Sequence, residues 1–249
     1  LAQFMLRRKK DDVLKDLPEI TFQNITVERS KVPLDPYFFE NWFPIGITKW
    51  LHSLEHMDKS LKIGLAAQRE SSHFKDKDAI ALLSSMATTT ATLRRYIGMA
   101  KAPAVLDIIA EELEGNAYDK IVIFAVHKDV IEMARERLKK FKPVQIYGGT
   151  PGHRRQQMVD KFQNESYCRV FIGQIVAAGT GITLTAAKEV AFLESSWVPA
   201  DNAQAAMRCH RVGQTRNVRV RFFTCAGSVD EDVMRVVSHK TREIAKIID

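Results

Sequence analysis

The sequence predicts an α/β fold: a parallel sheet flanked by helices, with a mostly helical stretch ahead of it. Two observations carry this. From Ile121 onward, short runs rich in β-branched residues alternate with segments whose apolar residues recur at helical spacing. Between Asp35 and Leu93 apolar residues such as Trp50, Leu51, Leu54, Met57 and Leu61 also recur at helical spacing, with almost no strand pattern. Strands that alternate with helices are joined by crossovers, and crossovers place neighbouring strands in parallel.

The elements follow in order. Leu17-Pro18-Glu19 ends a basic amphipathic opening segment, and Ile20 to Val27 (ITFQNITV) has the β-branched content of a strand. A polar stretch from Arg69 to Asp78 separates two helical pieces. Ile121 to Val126 (IVIFAV) is a continuous apolar run, as in a strand buried on both faces. Lys128 to Phe141 carries Val130, Ile131, Ala134, Leu138 and Phe141 on one helical face. A strand at Val144 to Tyr147, a helix near His153 to Phe162 and a strand at Arg169 to Ile175 come next. Val190 to Leu193 and Val218 to Thr224 complete the strands. The closing helix runs from Val229 to Ile248, with Ser228 as its N-cap.

The chain of 249 residues is 45% hydrophobic and 27% charged, enough to bury a core in one large domain or two modest ones. No apolar run approaches the roughly 18 to 20 residues of a membrane-spanning helix. The opening LAQFMLRRKKDD lacks the apolar stretch and cleavage site of a signal peptide. Cys168, Cys209 and Cys225 are far apart and form no C-x-x-C pair, which argues against a disulfide framework and a structural zinc site and for a reducing cytosol or nucleus. The net charge of +7 admits a polyanion as partner. Its distribution says more. Arg208, Arg211, Arg216, Arg219 and Arg221 fall between Asn202 and Val229, where there is no lysine and no acid. A charge run is usually a solvated face, but arginine without lysine suits planar recognition of phosphate.

The loop Tyr147 to Gly152 (YGGTPG) follows a strand and opens a helix. Glycines permit close backbone approach and a helix N-terminus offers free N–H groups, so the loop suits a phosphate as well as a plain turn. A second such loop, Ala177 to Thr185 (AAGTGITLT), has a lone G-x-G and not the dinucleotide fingerprint. None of the twelve glycines precedes a lysine, so no Walker A loop is present, and Asp230-Glu231-Asp232 is not a magnesium-binding acidic box. His127 and His153, at strand-to-helix loops without acidic neighbours of ligand spacing, read as structural. These residues therefore hold no complete nucleotide-hydrolysis site. The most specific string is Gln204 to Gln214 (QAAMRCHRVGQ), which sets Arg208 and Arg211 three apart near a helix end, able to converge on one phosphate chain.

On this string the chain resembles the C-terminal motor lobe of the Swi/Snf-type DNA translocases, a branch of the superfamily 2 helicases. It matches every fixed position of the family pattern Q-A-x-x-R-x-H-R-[IV]-G-Q. Phe4 to Glu19 resembles the segment where the chain leaves the first lobe, and Leu93 to Ile109 the start of the second. IVIFAVHKDVIEMARERL, YGGTPGHRRQQMVDKFQ and the Ala177 to Ala187 loop match the intervening motifs in order. The likeness is weakest between Asp35 and Ser85. Thr183 stands where most members have Asn, Ala178 where they have a second Gly, Val198 where they have Asn after Trp197, and Ala206-Met207 where they have Glu-Asp. A-A-x-x-G-[LI]-T and E-x-x-W-x-P instead resemble the annealing-helicase-like branch, which remodels forked or single-strand-containing DNA.

The resemblance implies a RecA-like lobe at 93–249, an inter-lobe linker and strand at 1–27, and a helical protrusion at 28–92 in which Trp42 and Trp50 are core residues. It implies half of an ATP-dependent motor on double-stranded or forked DNA, whose partner is its own N-terminal RecA-like lobe; that lobe holds most of the ATP and Mg2+. Arg208 and Arg211 are then the arginine fingers, Gln204, Gly179 and Gly181 couple ATP to DNA, and Gly149, Thr150 and Thr183 meet the DNA backbone; no metal ligand is assigned. Alone, the chain is expected to be inactive as an ATPase. The implied location is the cytoplasm or nucleoid, or a nucleus. An alternative is a stand-alone nucleic-acid-binding module, against which the start at Leu1 without methionine argues, as in an excised piece. A Rossmann-type enzyme such as a methyltransferase lacks support, since the glycine fingerprint is missing.

Overall fold

The computed structural model describes residues 17–28 and 77–238, except 180, 229 and 232. Strand β1 is Ile20–Val27, and helix α1, Lys77–Glu114, follows, its side chains described at 91 and from 94 onward. Then come β2 Ile121–Ala125, α2 Lys128–Arg137, β3 Val144–Ile146, α3 Gly152–Asn164, β4 Val170–Gln174, the single turn α4 Ile175–Ala178, β5 Glu189–Phe192, α5 Pro199–Ala206 and β6 Val218–Cys225. The basic opening segment, Trp42, Trp50, most of the expected protrusion and the end of the closing helix lie outside the described residues.

The six strands form one sheet in the order β1-β6-β5-β2-β4-β3, and every pairing is parallel. The expected α/β class is observed, and β2, buried at all five positions, shows why. Its alternate side chains feed two cores. Ile121, Ile123 and Ala125 cluster with Val105, Leu106 and Ile109 of α1 and Val130 and Ile131 of α2. Val122 and Phe124 cluster with Val159 and Phe162 of α3 and Ala205 of α5. At about 1.5–3 kcal/mol for each large apolar side chain buried, this two-sided strand anchors the sheet.

The strands expected at Arg169 to Ile175 and Val190 to Leu193 differ by one residue at each end, and two further boundaries shift for a local reason. The helix expected over Lys128 to Phe141 ends at Arg137, and Lys139–Phe141 tightens into a 3-10 turn. No glycine is available there, so Lys142 takes the left-handed conformation (φ 51°) while Phe141 stays buried. The strand expected to reach Tyr147 stops at Ile146, because the Tyr147 N–H is taken by the Thr150 hydroxyl oxygen at 3.0 Å. Ser228 caps as expected, its Oγ accepting the Asp230 N–H at 3.3 Å.

Parallel strands direct their following loops to one edge of the sheet. The 147–152 turn and the start of the 175–188 connection leave the carboxyl edge, after β3 and β4. Residues 207–217 instead precede β6, on the amino side, where the Val218 N–H meets the Glu19 carbonyl.

Candidate functional site

Helix α5 delivers Gln204, exposed on its last turn, and then the 207–217 turn. Arg208 Nη1 donates to the Ile182 carbonyl at 3.4 Å, and Arg211 Nη1 donates to the same carbonyl at 3.2 Å and to Thr183 Oγ1 at 3.4 Å. Two guanidiniums and Thr183 thus meet around one peptide. Arg208 is half-buried and its Nε is buried with no hydrogen-bond partner. Burial first, and then the neighbouring Arg211 charge, push the Arg208 guanidinium below its ordinary value. Among the described residues no carboxylate pairs with either arginine. Two cations held together without an anion, one with an orphaned donor, form an anion-receptive pair.

The other three arginines of the run correct the expectation that the cluster as a whole serves phosphate. Arg216 Nη2 donates to the Ala186 carbonyl at 2.7 Å and Arg216 Nη1 reaches Asp119 at 3.5 Å. Arg219 pairs with Glu189 at 2.8 Å, and buried Arg221 forms a bidentate pair with Glu112 at 2.7 and 2.8 Å. Their acids come from α1, the α1–β2 loop and β5, far from them in sequence, where no local window reveals them.

Gln214 is the residue sequence reasoning missed, although its place as the last fixed letter of the motif was a signal. It is buried, and its Nε2 is shared among the carbonyls of Thr185, Ala187 and Cys209 at 3.1, 2.9 and 3.1 Å. Its Oε1 accepts the Thr215 and Arg216 N–H groups, both at 3.1 Å. One side-chain amide thereby staples the arginine turn to the 182–187 loop. The Leu184 N–H to Arg208 carbonyl bond, 2.8 Å, adds a backbone link, and the His210 ring nitrogen lies 2.6 Å from the Pro18 carbonyl. Burial pushes the Cys209 thiol far up, which keeps it inert.

Gly179 and Gly181 shape the loop that carries Ile182 and Thr183. Gly181 sits at φ +71° with open space around it, and a Cβ on Gly179 would lie 2.5 Å from the Ile175 carbonyl oxygen. Gly181→Ala is therefore expected to cost about 1–2 kcal/mol of stability through backbone strain alone. Gly179→Ala, which forces backbone atoms to move, should cost more. Urea unfolding midpoints of the two variants check the order.

Gly149 and Thr150 lie in the other loop, at the carboxyl edge. The Thr150 N–H closes a turn on the Tyr147 carbonyl at 2.9 Å, and the Gly148 N–H donates to Gln174 Oε1 at 2.9 Å. The structure brings Thr183 to the arginines and places Gly149 and Thr150 at the opposite edge, with the glycine loop running between. His127 has the acidic neighbour its local sequence lacks: its Nδ1 is 2.6 Å from Oε1 of buried Glu194, whose Oε2 accepts the Val126 and His127 N–H groups at 2.9 and 2.8 Å. This secures the end of β2, a structural task. His153 is exposed on α3. Among the described residues no three metal-ligating side chains cluster, and no helix is long and apolar enough to cross a membrane.

Residues 101–213 match the helicase conserved C-terminal domain. The chain is 29% identical over 245 residues to the DNA annealing helicase and endonuclease ZRANB3 of Bos taurus, covering 97% of this chain and 20% of that protein. It is 31% identical over 252 residues to the SWI/SNF-related matrix-associated actin-dependent regulator of chromatin subfamily A-like protein 1 homolog of Caenorhabditis elegans, covering 98% of this chain and 32% of that one. The chain thus spans between a fifth and a third of the length of these relatives. Its fold is similar to the Sulfolobus solfataricus SWI2/SNF2 ATPase C-terminal domain, with a TM-score of 0.54 at 17% identity over 90% of this chain and 86% of that one.

Proposed function

The chain belongs to the Swi/Snf-type helicases as their C-terminal RecA-like lobe, and from that premise we propose that it is half of an ATP-driven DNA translocase. Arg208 and Arg211 serve the γ-phosphate of ATP bound between this lobe and a first lobe outside these residues. One observation supports this above the others: of five arginines in the run, these two alone share one carbonyl and have no carboxylate partner among the described residues, and the Arg208 Nε is buried and unpartnered. Their fixed forks of donors suit charge that develops on a phosphoryl group in transfer. The phosphate-cradling loop and the Mg2+ ligands belong to the first lobe. Gln204, one helical turn before Arg208 and exposed, faces outward to couple nucleotide to DNA, with Gly179 and Gly181 setting the loop between the two sites.

At the carboxyl edge Gly149 and Thr150 track the DNA backbone; Thr183 does so from beside the arginines, its hydroxyl accepting from Arg211. Such contacts position DNA without reading sequence. The double-alanine loop and the E-x-x-W-x-P string favour forked DNA as the substrate, in a nucleus or nucleoid.

The test compares this chain alone with the same chain joined to its first lobe. Alone it should bind duplex DNA weakly, with little sequence preference and a log–log salt slope of about −0.9 per phosphate neutralised, and should release no phosphate from ATP. Joined, it should hydrolyse ATP when DNA is added. Robust DNA-stimulated phosphate release from the chain alone, or affinity unchanged between low and physiological salt, contradicts the assignment.

A further inference from the structure

Two loops at the carboxyl edge of the sheet are joined by one guanidinium. Arg155 lies on the first turns of α3, half-buried. Its Nε donates to the Thr150 carbonyl and its Nη1 to the Ala177 carbonyl, both at 3.0 Å. Thr150 belongs to the turn after β3; Ala177 belongs to the single turn α4, which opens the glycine loop. Carbonyls at the end of so short a helix have no partners within it, and the rigid fork of arginine can satisfy two acceptors from separate segments at once. Gln174 braces the same junction, its Nε2 donating to the Val126 carbonyl at 3.0 Å while its Oε1 holds Gly148.

From Ala177 the chain runs through Gly179 and Gly181 to Ile182, the carbonyl shared by Arg208 and Arg211. Thr150, Arg155, Ala177, Ile182 and the two arginines therefore form a continuous path from one edge of the lobe to the other. We propose that Arg155 is a positioning residue that transmits DNA engagement at the 147–152 turn to the arginine pair. The proposal rests on the translocase reading above. Arg155 holds neither ATP nor the tracked strand; it fixes the spacing between the two loops that do. A contiguous path is not itself coupling, so the inference depends on a measurement of coupling.

The measurement is the ratio of DNA-stimulated to basal ATP turnover in the two-lobe protein, taken with the DNA concentration at half-stimulation. Arg155→Ala is expected to lower the ratio about tenfold, within the range of allosteric coupling, even at saturating DNA. Arg155→Lys, whose ammonium can still reach a carbonyl, should recover part of it. Should Arg155→Ala fail to fold, Arg155→Gln, which keeps amide donors, reads the same ratio. A wild-type ratio in the folded variant overturns the proposal. So does an equal fall in the alanine and lysine variants in step with lowered melting temperatures, since that marks a merely structural contact. If the wild-type two-lobe protein shows no stimulation by DNA, the translocase reading itself has failed, and the two failures are thereby told apart.

Discussion

In the two-lobe protein, Arg211→Ala is expected to lower ATP turnover by about 10³-fold, the lower end of what an arginine finger contributes. Arg211 and Arg208 share the Ile182 carbonyl, so either guanidinium is positioned by the loop and by the other's neighbourhood, and Arg208→Ala should behave alike. Arg211→Lys keeps the charge and loses the planar fork, and it should fall between wild type and alanine. On the proposed assignment the first lobe makes most ground-state contacts with ATP, so ATP affinity should change much less. DNA affinity should persist, because Gly149 and Thr150 are untouched at the far edge. If the arginines hold DNA instead, the variants lose DNA affinity while turnover without DNA survives. Turnover, nucleotide affinity and DNA affinity measured on the same proteins decide between these outcomes, and wild-type turnover in both alanine variants removes the pair from the catalytic site.

The second large effect is on stability. Arg221→Ala is expected to cost about 3–5 kcal/mol, the usual penalty for removing one partner of a buried ion pair. The Arg221 side chain is 3% exposed, bonded bidentately to Glu112, with its guanidinium 5.6 Å from the Phe223 ring centroid. Its loss strands Glu112, which also accepts the Tyr118 hydroxyl at 2.7 Å, and leaves buried Glu189 with Arg219 alone. Arg221→Ala with Glu112→Gln should regain part of the loss, since no unpaired charge then remains. Burial pushes the Glu112 carboxyl up, but the hydrogen bonds from Arg221 and Tyr118 outweigh it and hold the group below its ordinary range. A carboxylate held low when folded contributes stability above its unfolded value of about 4.3 and loses it as pH falls through the folded value. The gap between wild type and Arg221→Ala should accordingly be full at neutral pH and narrow in acid, as urea unfolding at several pH values will show.

Much of this protein was legible in its residues. The apolar run Ile121–Ala125, buried at every position, could only be a strand with helices on both sides, and the alternation after it required crossovers and hence a parallel sheet. Gln204 to Gln214 was long enough to identify the lobe, and the three-residue spacing of Arg208 and Arg211 does place both on one carbonyl. That Gly181 is a backbone necessity emerged only with the folded loop, where its φ is +71°, open to glycine at little strain.

The folded chain alone decided which arginines remain available. Residue types state what a side chain can do, whereas its partner is set by which elements pack together. Arg221 meets an acid 109 positions away and Arg216 one 97 away, so a run that looked uniformly suited to phosphate divides into three arginines with acidic partners and two with none among the described residues. The same holds for His127 and Glu194, 67 positions apart, and for Gln214, whose amide satisfies carbonyls before and within its own turn. Buried polar groups must find partners or pay for their desolvation. In a parallel sheet those partners arrive through crossovers, from strands and helices that are distant in sequence and adjacent only once the chain has folded.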